Sequence, residues 1–227
     1  MFLKNLSVKN FSVITPYKIP RFLNKKVNAG DGFIFDSSIK LIGYNPKHVF
    51  SSREELDEEK IKLINSTKLL IVTGANILKD NLEIITGFNT ETLKKIAVPI
   101  ALMGVGHYGL NKTNRYGFNE DSKNILKEIV TRFPLISVRC NGSYRYVKTF
   151  FREITKNILN TSCPVIFRLD NKFKNFKKKN NYNQLVTTIT DRSNLKQQLP
   201  VLHFAKNFFN SNNKILALHQ DYENENL

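Results

Sequence analysis

The apolar positions of this chain fall in short unbroken runs, separated by longer stretches with helical spacing. Leu69-Leu70-Ile71-Val72-Thr73 ends at Gly74, Val98-Pro99-Ile100-Ala101-Leu102-Met103 ends at Gly104, and Leu135-Ile136-Ser137-Val138 is a third run. Each is too short for a helix and too continuous for a strand with one wet face, so each predicts a parallel strand buried on both faces. Between them lie amphipathic segments. Asp31 to Ile42 carries Phe33, Ile34, Ile39 and Ile42 and stops at Gly43, and Glu54 to Ile64 interleaves Leu56, Ile61, Leu63 and Ile64 with charges. Thr90 to Ile96 opens on a capping pattern, Asn119 to Phe133 aligns Ile125, Leu126, Ile129 and Val130 behind Asn119 or Asp121 as cap, and Asn141 to Phe151 follows the third strand. Strands alternating with helices predict an α/β fold, a Rossmann-like, doubly wound parallel sheet.

The pattern changes after Phe167. Arg168 to Gln184 holds Lys172, Lys174, Lys177, Lys178 and Lys179 among several asparagines, without apolar periodicity, and reads as a basic linker. A strand from Leu185 to Thr190, a helical stretch from Ser193 to Phe209 interrupted near Pro200, and a strand from Lys214 to Leu218 follow. The expected organisation is a Rossmann-like domain over 1–167, the linker over 168–184, and the start of a second such domain over 185–227. A lone β-α-β unit buries too little surface to stand alone, so this second part is read as incomplete.

Composition narrows the class. The 227 residues are 41% hydrophobic, which suits a globular protein. No stretch approaches the ~20 apolar residues of a membrane span, and Met1 to Leu6 lacks an apolar leader. The expected location is therefore cytoplasmic, with peripheral contact at the inner face of the cell membrane as an extension. Cys140 and Cys163 are the two cysteines; they predict reduced thiols, no disulfide framework and no cysteine zinc site. Thirty-five Lys and Arg against nineteen Asp and Glu leave a charge of +16, which attracts polyanions; a bias toward Lys and Asn codons yields the same count. The basic linker can lie on anionic lipid, at about 1 kcal/mol per charge, or stand solvated. The cations are otherwise spread, without a nucleic-acid-binding motif, so nucleic acid is not favoured as a partner.

Candidate chemistry gathers where strands end and helices begin. Asn28-Ala29-Gly30-Asp31-Gly32 is a small turn before a helix, where unpaired amides and the helix dipole can hold an anion. It is neither a complete Walker motif nor a dinucleotide fingerprint. Asp31 can act as a base on a sugar hydroxyl or simply cap the helix, with Gly30 supplying a positive-φ turn. Gly74 and Asn76 follow one strand, and Gly104, Gly106 and His107 follow the next. Glycines there admit a ligand or serve as ordinary turn residues, and His107 can shuttle a proton or stand exposed. Arg139 ends the third strand and can hold an anion or pair with an acid, while Ser143 is expected to cap the next helix. Arg192 follows the strand that opens the second part; its guanidinium can clamp a carboxylate or phosphate, or pair with Asp191. His219 ends the last strand in the same way. Cys163 reads as a buried structural thiol, and His48 and His203 as structural or exposed.

The order of these motifs resembles the polysaccharide pyruvyltransferase family. The matching elements are Asn28-Ala29-Gly30-Asp31, Val72-Thr73-Gly74-Ala75-Asn76, Pro99 to Gly106, Ile136-Ser137-Val138-Arg139 with Ser143, Thr161 to Val165, and Thr190-Asp191-Arg192. The resemblance covers roughly residues 27 to 220. It implies a GT-B-like architecture of two Rossmann-like lobes facing a cleft. It also implies transfer of a pyruvyl group from phosphoenolpyruvate onto two hydroxyls of a polysaccharide or lipid-linked sugar, with phosphate released and no metal or other cofactor. In that scheme Arg192 and Arg139 neutralise the donor, Asn28, Gly30, Gly74, Asn76, Gly104 and Gly106 line the site, and Asp31, His107 and His219 are the candidate proton carriers. The family's later Arg-Leu-His-like element has no counterpart, because no arginine here is followed two positions on by histidine. The expectation is a C-terminally truncated relative, with its activity open. A sugar-nucleotide glycosyltransferase of the same fold and a non-catalytic polyanion-binding protein are the alternatives.

Overall fold

The computed structural model describes residues 9–17, 29–74, 76–107, 117–167, 185–189 and 214–218, together with residues 199, 200, 203 and 207. Six strands form one sheet: β1 (Ser12–Thr15), β2 (His48–Ser51), β3 (Leu70–Thr73), β4 (Ile100–Val105), β5 (Ile136–Val138) and β6 (Ile158–Asn160). Their order is β2-β1-β3-β4-β5-β6 and every pairing is parallel. The connecting helices are α1 (Ala29–Ile42), α2 (Glu58–Asn65), α3 (Thr90–Lys95), α4 (Glu120–Arg132) and α5 (Asn141–Phe150). A 3-10 segment, Arg152–Asn157, leads into β6.

Strand order dictates which face each helix covers. From β1 the chain steps one way to β2; from β2 onward it steps the other way as far as β6. Right-handed crossovers then put α1 on one face and the later helices on the opposite face. The core divides accordingly. Phe35 and Ile39 of α1 pack with Val13, Ile42, Ile71 and Ala101, whereas Ile61, Ile64, Leu93, Ile125, Leu126, Ile129 and Val147 pack with Ile14, Leu70, Val72, Ile100 and Leu102. The α/β, Rossmann-like, doubly wound reading is thus what the described residues form. Strand order reverses between β1 and β3, and in open sheets of this kind ligands gather beyond the strands' C-terminal ends at such a reversal.

Several local expectations shift. The helix expected from Glu54 starts at Glu58, because Asp57 caps it by accepting the Lys60 N–H at 2.8 Å and Glu55 instead bridges to Thr86. Strand β4 does not stop at Gly104 but runs to Val105, with a register shift against β5 between Leu102 and Val105. Ala29 already begins α1, so Gly30 and Asp31 lie inside its first turn and Gly30 takes no positive φ. Ser143 is not the cap of α5: the Cys140 sulfur occupies that place and accepts the Ser143 N–H at 3.4 Å. Cys163 is half-buried rather than buried and is followed by a 3-10 turn over 164–167.

Between β3 and α3 the segment 76–89 has no helix, yet Ile77, Leu78, Leu82, Ile84, Ile85 and Phe88 are buried. One buried hydroxyl holds part of it. Ser122 Oγ accepts the Leu82 N–H at 2.7 Å and donates to the Asp80 carbonyl at 2.8 Å. Ser122→Ala leaves that amide without an acceptor and is expected to cost about 2 kcal/mol, read as a lower urea midpoint at unchanged slope.

The chain divides into two compact units, Met1–Asp170 and Asn171–Leu227. In the second, β7 (Leu185–Ile189) pairs in parallel with β8 (Lys214–Leu218), Leu185 opposite Lys214. Residues 199, 200, 203 and 207 between them are helical, as a parallel crossover requires. The linker expected over 168–184 lies outside the described residues.

Candidate functional site

The β3, β4 and β5 ends are stitched together by backbone. The Leu78 N–H donates to the Gly106 carbonyl at 3.0 Å, and Leu78 bridges His107. On the other side the Arg139 N–H donates to the Val105 carbonyl at 3.0 Å. Residues 76, 106, 107 and 139 therefore meet because a loop following β3 and a residue following β5 both pair with the extension of β4.

Gly106 is what lets them meet. A Cβ there would overlap Arg139 Nε and stand 2.8 Å from both Arg139 Cζ and Asn76 Oδ1. The guanidinium and the amide oxygen thus share the volume that any other residue would fill. Asn76 Oδ1 is buried and has no hydrogen-bond partner among the described residues, an arrangement that ordinarily calls for a bound donor. Arg139 supplies a cation beside it.

His107 joins this group from the same turn. Its N–H donates to Ser143 Oγ at 3.1 Å, and its Nδ1 stands 3.3 Å from the same oxygen. The ring stacks on Tyr146, with centroids 5.3 Å apart, and Tyr146 in turn meets Phe118 and Phe150. Partial burial and the nearby Arg139 charge hold the imidazole below its ordinary value of 6.5, so it is a neutral proton acceptor at pH 7. Burial pushes the Tyr146 phenol up, aided by the Asp80 carboxylate.

The remaining candidates divide. Asp31 sits in the first turn of α1 and pairs with Arg53 at 3.4 Å, so its carboxylate is engaged in an ion pair as well as facing the helix N-terminus. Gly74 and Gly104 make room for protein side chains: a Cβ on Gly74 would overlap Ile34 of α1, and one on Gly104 would press on the Pro164 ring at 2.7 Å. Asn28, Arg192 and His219 lie outside the described residues. The motif reading passed over Cys140, the three-way role of Ser143, and the aromatic wall of Tyr146, Phe118 and Phe150. The signal for the first two was the Arg139-Cys140-Asn141-Gly142-Ser143 run itself, with a thiol where a cap residue is usually Asp, Asn, Ser or Thr.

The family model for polysaccharide pyruvyl transferase matches residues 28–226. The chain belongs to the polysaccharide pyruvyl transferase family. The match spans all of α1, the ends of β3, β4 and β5, and β7 and β8. A crystal structure of a functionally uncharacterized protein from Klebsiella pneumoniae is similar at 18% identity and a TM-score of 0.44, over 85% of this chain. The chain spans 64% of that protein's length. No curated protein matches the chain significantly. Among its described residues no helix is long and apolar enough to cross a membrane, and no group of three or more His, Cys, Asp or Glu could hold a metal ion.

Proposed function

We propose that this chain moves a pyruvyl group from phosphoenolpyruvate to the hydroxyls of a polysaccharide or lipid-linked sugar, forming a ketal and releasing phosphate. The observation that carries the reading is the Gly106 gap at the C-terminal edge of the sheet, where the Arg139 guanidinium approaches an Asn76 oxygen that has no partner among the described residues. Family membership supplies the reaction class. Phosphoenolpyruvate carries a carboxylate and a phosphate, and a guanidinium can bind either with paired hydrogen bonds. The Asn76 amide oxygen is suited to accept a hydrogen bond from a sugar hydroxyl. Neutral His107 is suited to take the proton that a hydroxyl loses as it attacks. Arg192 and His219 are proposed to add a second cation and a second proton carrier, and Asn28, Gly30 and Asp31 to contact the acceptor. No cofactor enters this scheme. The work would take place on the inner side of the cell membrane, for a product destined for the cell envelope, with the basic segment 168–184 touching anionic lipid.

The test is phosphate release from phosphoenolpyruvate in the presence of a glycan acceptor, with the ketal detected by mass spectrometry. Arg139→Gln is expected to raise the KM for phosphoenolpyruvate about 30-fold, the equivalent of a charge-assisted hydrogen bond worth about 2 kcal/mol. An unchanged KM, or turnover of sugar nucleotides with none of phosphoenolpyruvate, would refute the reading.

A further inference from the structure

Three groups with exchangeable protons stand in line beside Arg139. Cys140 Sγ lies 3.2 Å from Ser143 Oγ, and Ser143 Oγ lies 3.3 Å from His107 Nδ1. Ser143 is wholly buried and Cys140 is exposed, so the inner hydroxyl joins a solvent-side thiol to an imidazole. Gly142 keeps the passage narrow: a Cβ there would stand 3.2 Å from His107 Cε1 and 3.7 Å from Cys140 Sγ. The Ser143 hydroxyl already accepts the His107 N–H, and its single proton can point to Nδ1 or to sulfur, never to both. A helix cap alone does not account for this line, since sulfur is a weak acceptor and an oxygen side chain would cap better.

We propose that Cys140 is the proton donor of the site, re-protonated from His107 through Ser143. The assignment of the acceptor carbon rests on the function proposed above. The thiol S–H bond breaks and its electron pair stays on sulfur, beside the Arg139 cation. The methylene carbon of the donor's enol takes the proton, using its π pair, and leaves positive charge on the carbon that bears the phosphate. A sugar hydroxyl oxygen attacks that carbon and gives its proton to His107 Nε2. His107 Nδ1–H then passes its proton to Ser143, whose own proton returns to sulfur. The second hydroxyl attacks as the carbon–oxygen bond to phosphate breaks, and its proton leaves with the phosphate. Ser143 acts through its neighbours and is a positioning residue.

The charged and titratable groups facing this line among the described residues are Arg139 at the end of β5 and Tyr146 of α5, with the Asp80 carboxylate acting on Tyr146. Burial pushes the Cys140 thiol up, but the Ser143 hydroxyl, the Ser143 and Gly142 N–H groups and the Arg139 charge outweigh it and hold the thiol below its ordinary value.

The experiment uses the full chain with Cys163→Ala, leaving Cys140 as the one thiol, and follows iodoacetamide alkylation by intact mass from pH 6 to 10. Cys140 is expected to react with an inflection below the roughly 8.5 of a free thiol. Ser143→Ala and His107→Gln should each slow the reaction at pH 7 about fivefold and move the inflection upward. The double variant should match the single ones, and Ser143→Thr should restore the rate. Phosphoenolpyruvate should protect the thiol, and Cys140→Ala should lower kcat for phosphate release at least tenfold with little change in KM. Alkylation indifferent to both Ser143 and His107 overturns the relay. Unchanged kcat in Cys140→Ala overturns the donor role while leaving the proposed function standing. Absence of phosphate release by the parent chain removes that function, and the alkylation series still decides whether thiol and imidazole are coupled.

Discussion

On the proposed function, Gly106→Ala is expected to lower kcat/KM about 100-fold while leaving the fold nearly intact. Gly106 takes no positive φ, so a Cβ meets no backbone strain there. What it meets is Arg139 Nε and, at 2.8 Å, Arg139 Cζ and Asn76 Oδ1. These are the polar ends of side chains, and Arg139 is long enough to swing aside. Stability should fall by no more than about 1 kcal/mol, as for substitutions that neighbours can accommodate. The displaced guanidinium no longer stands beside Asn76, and the proposed Arg139 contact to the donor and Asn76 contact to the sugar hydroxyl are lost together. If each is worth about 1.5 kcal/mol, the loss in kcat/KM is on the order of 100-fold. Phosphate-release kinetics beside a thermal melt separate the two effects. A large drop in melting temperature with retained KM would mean that Gly106 serves packing alone.

Gly74→Ala should do the opposite and damage the fold itself. Gly74 has φ +55 and a Cβ would overlap Ile34 Cγ2, with Ile34 Cβ at 3.3 Å. The left-handed backbone costs about 1–2 kcal/mol for a residue with a Cβ, and overpacking typically adds about 1–3. Relief requires moving α1 as a body, because Ile34 lies within that helix. The expected loss is about 3 kcal/mol, or roughly 10 °C in melting temperature. Gly43→Ala is the matched control: its φ is +81 with nothing within 4 Å, so it isolates the backbone contribution at about 1 kcal/mol. Equal losses at the two positions would show that the Ile34 contact does not constrain the fold.

Strands β3, β4 and β5 were legible because they are buried on both faces and so read as unbroken apolar runs. Strands β1 and β2 escaped the same reading. Ser12, Thr15 and Ser51 are polar yet buried, and four-residue strands give too few positions for a period to show. The buried segment around Leu82 and Ile85 had no period at all, since its burial comes from an irregular path and the Ser122 hydroxyl. Asn76, Gly106, His107 and Arg139 were legible as residues just past strand ends. Their convergence was not, because it depends on Leu78 pairing with Gly106 and on the register shift in β4. Gly74 and Gly104 were legible as turn or ligand-side glycines, but their close approach to Ile34 and Pro164 was not, because it depends on how α1 and residue 164 pack against the strand ends. The run from Arg139 to Ser143 carried a signal for Cys140 and Ser143, but their contact with His107 shows only once the loop after β4 has been brought against the start of α5.

Strand β1 holds its place only between β2 and β3, whose paired residues lie at 48–51 and 70–72. Until the chain is made through Ser51, β1 has neither neighbour, and until Val72 it still lacks β3. No hairpin can form early, since each pairing in the main sheet is parallel and waits for its crossover. The ribosome must therefore deliver the chain through Val72 before the centre of the sheet can close.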